Sequence, residues 1–359
     1  MESYKETYYV IYALAAIAAV FFSLEAVVKK NESRVIGSFF LIFFLIAFFI
    51  LFGFRTEQVG TDTPMYIFNY QHYRQLEFGT EYTVKYLTFF LHRFSSNPQI
   101  FLLVVAFIYL SLIFLIIRNF NKRYPESNVF LLGFSFFSLF FFESLGINII
   151  RQGVALMFFL LFYTIYINRM KITPLMILVA IVGIGFHMTS VILYLVFVLL
   201  LILKDKISLI YFNILYVLGI ILAFFKIGVN SLGSAAYIFV DSRRLAYLTG
   251  EISHADFKVG FKPQFALFNT VFWLFFNYLY SINKNDASYN ILFKLYIVMS
   301  FIFYMMFQIP FSDRWGVMSW VLIPFLASPF LDTKSKKSPL TTFVAFIFMI
   351  FLFVFFQNI

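Results

Sequence analysis

The chain has 359 residues, of which 62% are hydrophobic and only 12% charged, with 56 Phe, no Cys and a net charge of +10. Soluble domains are about 45–50% apolar and about 25% charged, so the composition excludes a soluble globular enzyme and describes a polytopic membrane protein. The lack of cysteine excludes disulfides, thiolate metal sites and a cysteine nucleophile.

The first apolar segment begins near Tyr8, after one Lys and two Glu, which is not the pattern of a cleavable leader and reads as a span that stays. Runs able to cross a bilayer fall at about 8–28, 34–54, 99–118, 128–143 and 149–168. Further runs follow at about 173–186, 188–204, 207–227, 264–282, 289–309, 314–331 and 340–357. The reading is an all-α polytopic protein of about 12 transmembrane segments, one integral membrane domain over 1–359. Two long polar stretches interrupt it, 55–98 and 228–263, each expected as an outer loop carrying short helices.

Orientation follows from Lys and Arg in the short connections. One side collects Lys29, Lys30, Arg34, Arg118, Lys122, Arg123, Arg169, Lys171, Lys204, Lys206, Lys284, Lys294, Lys334, Lys336 and Lys337, fifteen of the 27 basic residues against six of the 17 acidic ones. The other side is nearly balanced. The basic excess is therefore a cytoplasmic topology signal, and no nucleic-acid partner is expected. Both termini and both long loops then lie outside. This requires the 31 residues of 173–203 to break near Gly183, Gly185 and His187; as a single helix they would carry the later basic clusters outside.

With that topology the polar residues that look out of place converge on the outer face. RTEQVGTDTPMY (55–66) leaves the second span with Arg55 and Asp62 around a Gly-Thr-Asp-Thr-Pro turn. Asn148, Arg151 and Gln152 open the fifth segment, His187 sits at the hairpin turn, Arg243, Arg244 and Tyr247 lie in the second long loop, and Asp313–Arg314 open the eleventh segment. Each has a plain structural reading. An Arg at a helix end snorkels to headgroups, Asp313 neutralises Arg314, a lone His is satisfied internally, and Tyr66, Tyr70 and Tyr73 form an interfacial belt. Five arginines on one face ask for more, because guanidinium groups bind phosphate oxygens bidentately. The expected ligand is a phosphate or diphosphate at the membrane surface, and ionisable groups at membrane segments mark function by default.

In order and context these residues resemble the EpsG family, within the wider group of Wzy-type bacterial polysaccharide polymerases. The matching positions are Arg55, Gly60, Thr61, Asp62 and Tyr66; Glu81 before an aromatic-rich helix; Asn148, Arg151 and Gln152 as NxxRQ; Phe186–His187; Arg243, Arg244 and Tyr247; and Arg314. The resemblance implies a GT-C-like membrane fold without a metal or other cofactor, in the bacterial cytoplasmic (inner) membrane with its site facing the exterior. It implies a lipid-carrier-dependent glycosyltransferase joining undecaprenyl-diphosphate-linked oligosaccharides, with a chain-length regulator protein as a further partner. Arg55, Arg151, Arg244 and Arg314 are expected on the diphosphate, and Asp62, Glu81 or His187 as base or acceptor-orienting group. No DxD-like pair stands in an outer loop. A flippase of lipid-linked sugars would want mid-membrane charges and inverted repeats, and neither is evident; a ligase would share the donor and differ in acceptor.

Overall fold

The computed structural model describes residues 2–25, 33–76, 81–203, 206–231 and 259–331, together with 350 and 353. Among them every regular element is helical. In chain order these are α1 (Glu2–Glu25), α2 (Ser33–Gly53), α3 (Thr63–Gln71), α4 (Tyr82–His92), α5 (Gln99–Arg123), α6 (Val129–Phe137), α7 (Phe142–Ile147) and α8 (Ile150–Arg169). There follow α9 (Pro174–Phe186), α10 (Val191–Leu203), α11 (Leu209–Phe224), α12 (Pro263–Ile282), α13 (Ala287–Met305), α14 (Asp313–Trp320) and α15 (Ile323–Leu326).

Among the described residues six helices are long and apolar enough to cross a membrane: α1, α2, α5, α8, α12 and α13. Three shorter apolar helices, Pro174–Phe186, Met188–Leu203 and Leu209–Phe224, match further expected runs. Two further runs are not single helices. The 128–143 run divides into α6 and α7 around Ser138–Phe141, and the run from 314 divides into α14 and α15. Of 340–357, only 350 and 353 are described. The break near His187 is present: α9 stops at Phe186, His187 is extended (φ −154°, ψ 111°), and a single 3₁₀ turn, Met188–Ser190, leads into α10.

Contacts divide the chain into two units, Met1–Ile192 with Ala327–Ile359, and Leu193–Leu326. The first unit has a clear polarity. At one end Gln99 Nε2 donates to Gly53 O, joining the start of α5 to the end of α2. Arg55 Nη2 reaches Ile147 O at the end of α7, and Tyr82 OH donates to Ile181 O near the end of α9. At the opposite end Asn168 Nδ2 of α8 donates to Asn119 O of α5, and Gly37 near the start of α2 lies against Asn128 and Phe130 at the start of α6. Between them run packed aromatic rings, Phe48 tilted against Phe137 and edge-on to Phe142 at 5.1 Å each. The most enclosed of the long helices is α8.

The second unit is held by hydrogen bonds between helices, which in an apolar setting supply what the hydrophobic effect cannot. Asn269 Oδ1 accepts from Tyr296 OH (3.0 Å) and Trp320 Nε1 (2.8 Å), and Tyr216 and Tyr304 share a hydroxyl bond of 2.8 Å. Lys294, buried, donates to Ile207 O at 3.1 Å.

Candidate active site

The site is built at the end of the first unit where α2, α7 and α9 finish and α5 and α8 begin. Gly60 sets the first loop. Its φ of +88° is a conformation that favours glycine, and a Cβ there would stand 2.8 Å from Asn148 Oδ1 and 2.9 Å from Thr63 Oγ1. The turn thus lies directly on the bend between α7 and α8. Asn148 Oδ1 faces the Asp62 amide at 3.5 Å and Thr61 Oγ1 at 3.4 Å, and Tyr66 OH donates to Asn148 O at 2.7 Å.

Arg55 is expected on the diphosphate and is instead inside the protein, 3% exposed. Its Nη1 donates to Phe52 O (2.6 Å), Nη2 to Ile147 O (3.2 Å) and Nε to Thr63 Oγ1 (3.2 Å). Burial pushes the guanidinium down to about 10, with Tyr4 and Tyr66 opposing the shift; the group is still cationic at neutral pH. This arginine clasps three chain segments. Gln152, also expected to bind substrate, is 3% exposed on the inner side of α8.

Glu81 is the centre. It occupies the N-cap position of α4 but makes no side-chain capping bond. Its Oε2 pairs with Arg151 Nη1, and its Oε1 lies 3.0 Å from His187 Nδ1. The three residues come from α8, the α9–α10 break and the start of α4. The side chains of Glu81 and His187 are 12% and 11% exposed, and that of Arg151 is 29% exposed. Tyr66 and Asp62 also act on the Arg151 guanidinium. An ionised carboxylate only accepts, so the Glu81 contact places the His187 proton on Nδ1 and the ring's basic lone pair on Nε2.

The approach of α4 to α9 depends on Gly185. A Cβ there would meet Thr83 Oγ1 at 2.2 Å and the Tyr82 ring at 2.5 Å, while Tyr82 OH and Thr83 Oγ1 bond the carbonyls of Ile181 (2.5 Å) and Val182 (3.2 Å). That seating delivers Glu81 to His187.

Of the expected residues, Asp62, Tyr66, Glu81, Asn148, Arg151 and His187 come together, and Arg55 and Gln152 lie behind them. Arg243, Arg244 and Tyr247 lie outside the described residues. Arg314 belongs to the second unit, where its guanidinium sits over the Phe311 ring at 4.8 Å. Phe311 itself has a φ of 57°, a strained turn before α14. In the same unit Lys262 is held below the usual lysine range by burial, with Asp313 opposing the shift. Among the described residues no three His, Asp or Glu side chains gather as a metal site would require.

Sequence reasoning missed Glu143. This half-buried residue of α7 lies beside Lys5 and the Tyr4 hydroxyl. Its signal was available as an acid at the end of an apolar run.

An all-helical protein with long apolar helices and an Arg–Glu–His chain at one end defines a membrane-embedded protein with a polar site. The EpsG family profile matches residues 37–359, and the chain belongs to that family of Wzy-type polysaccharide-polymerase-like proteins. No curated protein and no solved structure matches it.

Proposed function

We propose that this chain polymerises undecaprenyl-diphosphate-linked oligosaccharide repeat units on the outer face of the bacterial cytoplasmic membrane. The observation that carries the reading is the Glu81 carboxylate shared between Arg151 and His187, beside Asp62, Tyr66 and Asn148. Family membership supports polysaccharide polymerisation. The one-sided distribution of Lys and Arg supports the outer placement of this end of the helices.

Glycosyl transfer from a lipid diphosphate has two needs, a base for the acceptor hydroxyl and positive charge for the leaving group. The acceptor oxygen attacks the anomeric carbon of the donor chain and forms the new glycosidic bond. The bond from that carbon to the diphosphate oxygen breaks, and the electron pair leaves with the diphosphate. The hydroxyl proton passes to His187 Nε2, while Glu81 holds the imidazole through Nδ1–H and stabilises the imidazolium that forms. Arg151 takes the developing charge on the leaving diphosphate. Five planar N–H donors allow a guanidinium to hold Glu81 and diphosphate oxygens together. Arg55 and Gly60 act on none of the reacting atoms. They fix the bend from which Asn148 and Arg151 project.

The test is purified protein with a synthetic undecaprenyl-diphosphate oligosaccharide of the native repeat, products resolved by gel. Wild type should give a ladder stepped by whole repeat units, and Arg151→Ala should give none while remaining folded. A ladder that persists in Arg151→Ala would remove the diphosphate role. Substrate moved across a vesicle membrane with no ladder would replace polymerase with flippase.

A further inference from the structure

The outward face of α4, continued by the turn at Arg93 and Phe94, is aromatic and basic. Tyr86, Phe90 and Phe94, spaced by four residues, are 61%, 58% and 70% exposed, and the Phe90 and Phe94 rings pack edge to face at 5.0 Å. The opposite side is spent on the protein. Thr88 and Leu91 are buried, His92 stacks on Tyr73 at 3.9 Å, and Phe89 meets Tyr73 at 5.2 Å. Residues 82–98 contain Lys85, His92 and Arg93 and no Asp or Glu.

Length and attachment settle how the helix runs. Its 11 residues span about 17 Å at about 1.5 Å each, against a hydrocarbon core of about 30 Å. Its start is bonded to the end of α9 through Tyr82 and Thr83. Just past its finish, Ser95 O accepts from Tyr70 OH of α3, and Gln99 then joins α5 to the end of α2. Both ends are thus tied to helix termini at the same end of the unit, so α4 lies across that end and not along the spans.

We propose that α4 is an in-plane interfacial helix, its Tyr86–Phe90–Phe94 ridge seated among the acyl chains just below the phosphates of the membrane and Lys85 and Arg93 at headgroup level. An amphipathic helix with an aromatic face and flanking cations, and no acid to repel phosphate, is what that surface binds. The expected interfacial belt therefore lies on α4. Tyr66 and Tyr70 are buried, with their hydroxyls on Asn148 O and Ser95 O. Resting on the reading above, this seating puts Glu81, at the start of α4, at the depth of a lipid-linked diphosphate.

The chain has no cysteine, so single-cysteine variants Tyr86→Cys, Phe90→Cys and Phe94→Cys can each carry one nitroxide on the full protein in phosphatidylethanolamine/phosphatidylglycerol vesicles. Glu57→Cys and Gln58→Cys, exposed in the first loop, serve as water-side references. The three ridge labels should collide more with oxygen than with a water-soluble nickel chelate, at depths of about 5–10 Å below the phosphates, and the references the reverse. Nickel-dominated collisions at the ridge would overturn the proposal. So would dipolar broadening relieved by dilution with unlabelled protein, which would assign the face to a second copy. The readout needs no substrate, so it fails or succeeds independently of polymerisation.

Discussion

Glu81 sits where a helix normally spends a side chain on its own free amides, yet gives both carboxylate oxygens to Arg151 and His187. Asn128 for α6, Thr173 for α9 and Asp286 for α13 do cap their helices, whereas α5, α7, α8, α12 and α14 begin at residues that make no side-chain cap. Asp62, at the N-cap of α3, likewise makes no side-chain cap. Capping typically contributes about 1 kcal/mol, so two acids here forgo local stability for a place near Arg151. Glu81→Gln keeps the shape and removes the charge that fixes the imidazole. Polymer formation per folded enzyme should fall about 100-fold or more, with the melting temperature moved little. His187→Gln should lose a similar factor, and the double variant should be no worse than the poorer single one, because the pair acts as a unit. Losses that multiply in the double variant would separate the two roles. Arg55→Lys makes the contrast. A lysine keeps the charge but cannot bridge Phe52 O, Ile147 O and Thr63, so thermal stability should drop by about 1–3 kcal/mol while KM of the surviving folded fraction stays unchanged.

At the scale of elements, α4 matters because it is placed by contact with α9, not by the chain near it. Gly185→Ala should wedge the two helices apart, costing about 1–3 kcal/mol as overpacking does. Separation of Glu81 from His187 should reduce activity by more than the lost folded protein explains. Activity loss in proportion to folded fraction would show that this seating is not needed. Most helices were legible in the sequence because apolar runs in a membrane protein have few alternatives, and the break at His187 was legible because two glycines precede it. The divisions at Ser138–Phe141 and between α14 and α15 were not, since hydropathy stays high across both. Nor was the fate of Arg55: hydropathy registers a charge and says nothing of where five donors go. The partners of Glu81 lie 70 and 106 residues away, and only the packing of α4 on α9 selects them from the other polar residues at that end.

For the whole molecule, the first unit has a polar end with the Arg–Glu–His chain and an opposite end where α5 and α8 finish at Arg123 and Arg169. The proposed topology puts the first at the exterior. A cysteine replacing exposed Glu57 should react with an impermeant maleimide in intact cells, and one replacing exposed Lys171 should react only after the membrane is opened; the reverse pattern would invert the topology. The most direct measurement remains polymerisation by the purified protein from a synthetic undecaprenyl-diphosphate repeat unit, comparing wild type with Arg151→Ala and Glu81→Gln. The prediction is a ladder of whole repeats for wild type and unextended substrate for both variants at equal folded concentration. Equal ladders from all three would contradict the assignment of this Arg–Glu–His chain as the polymerising site.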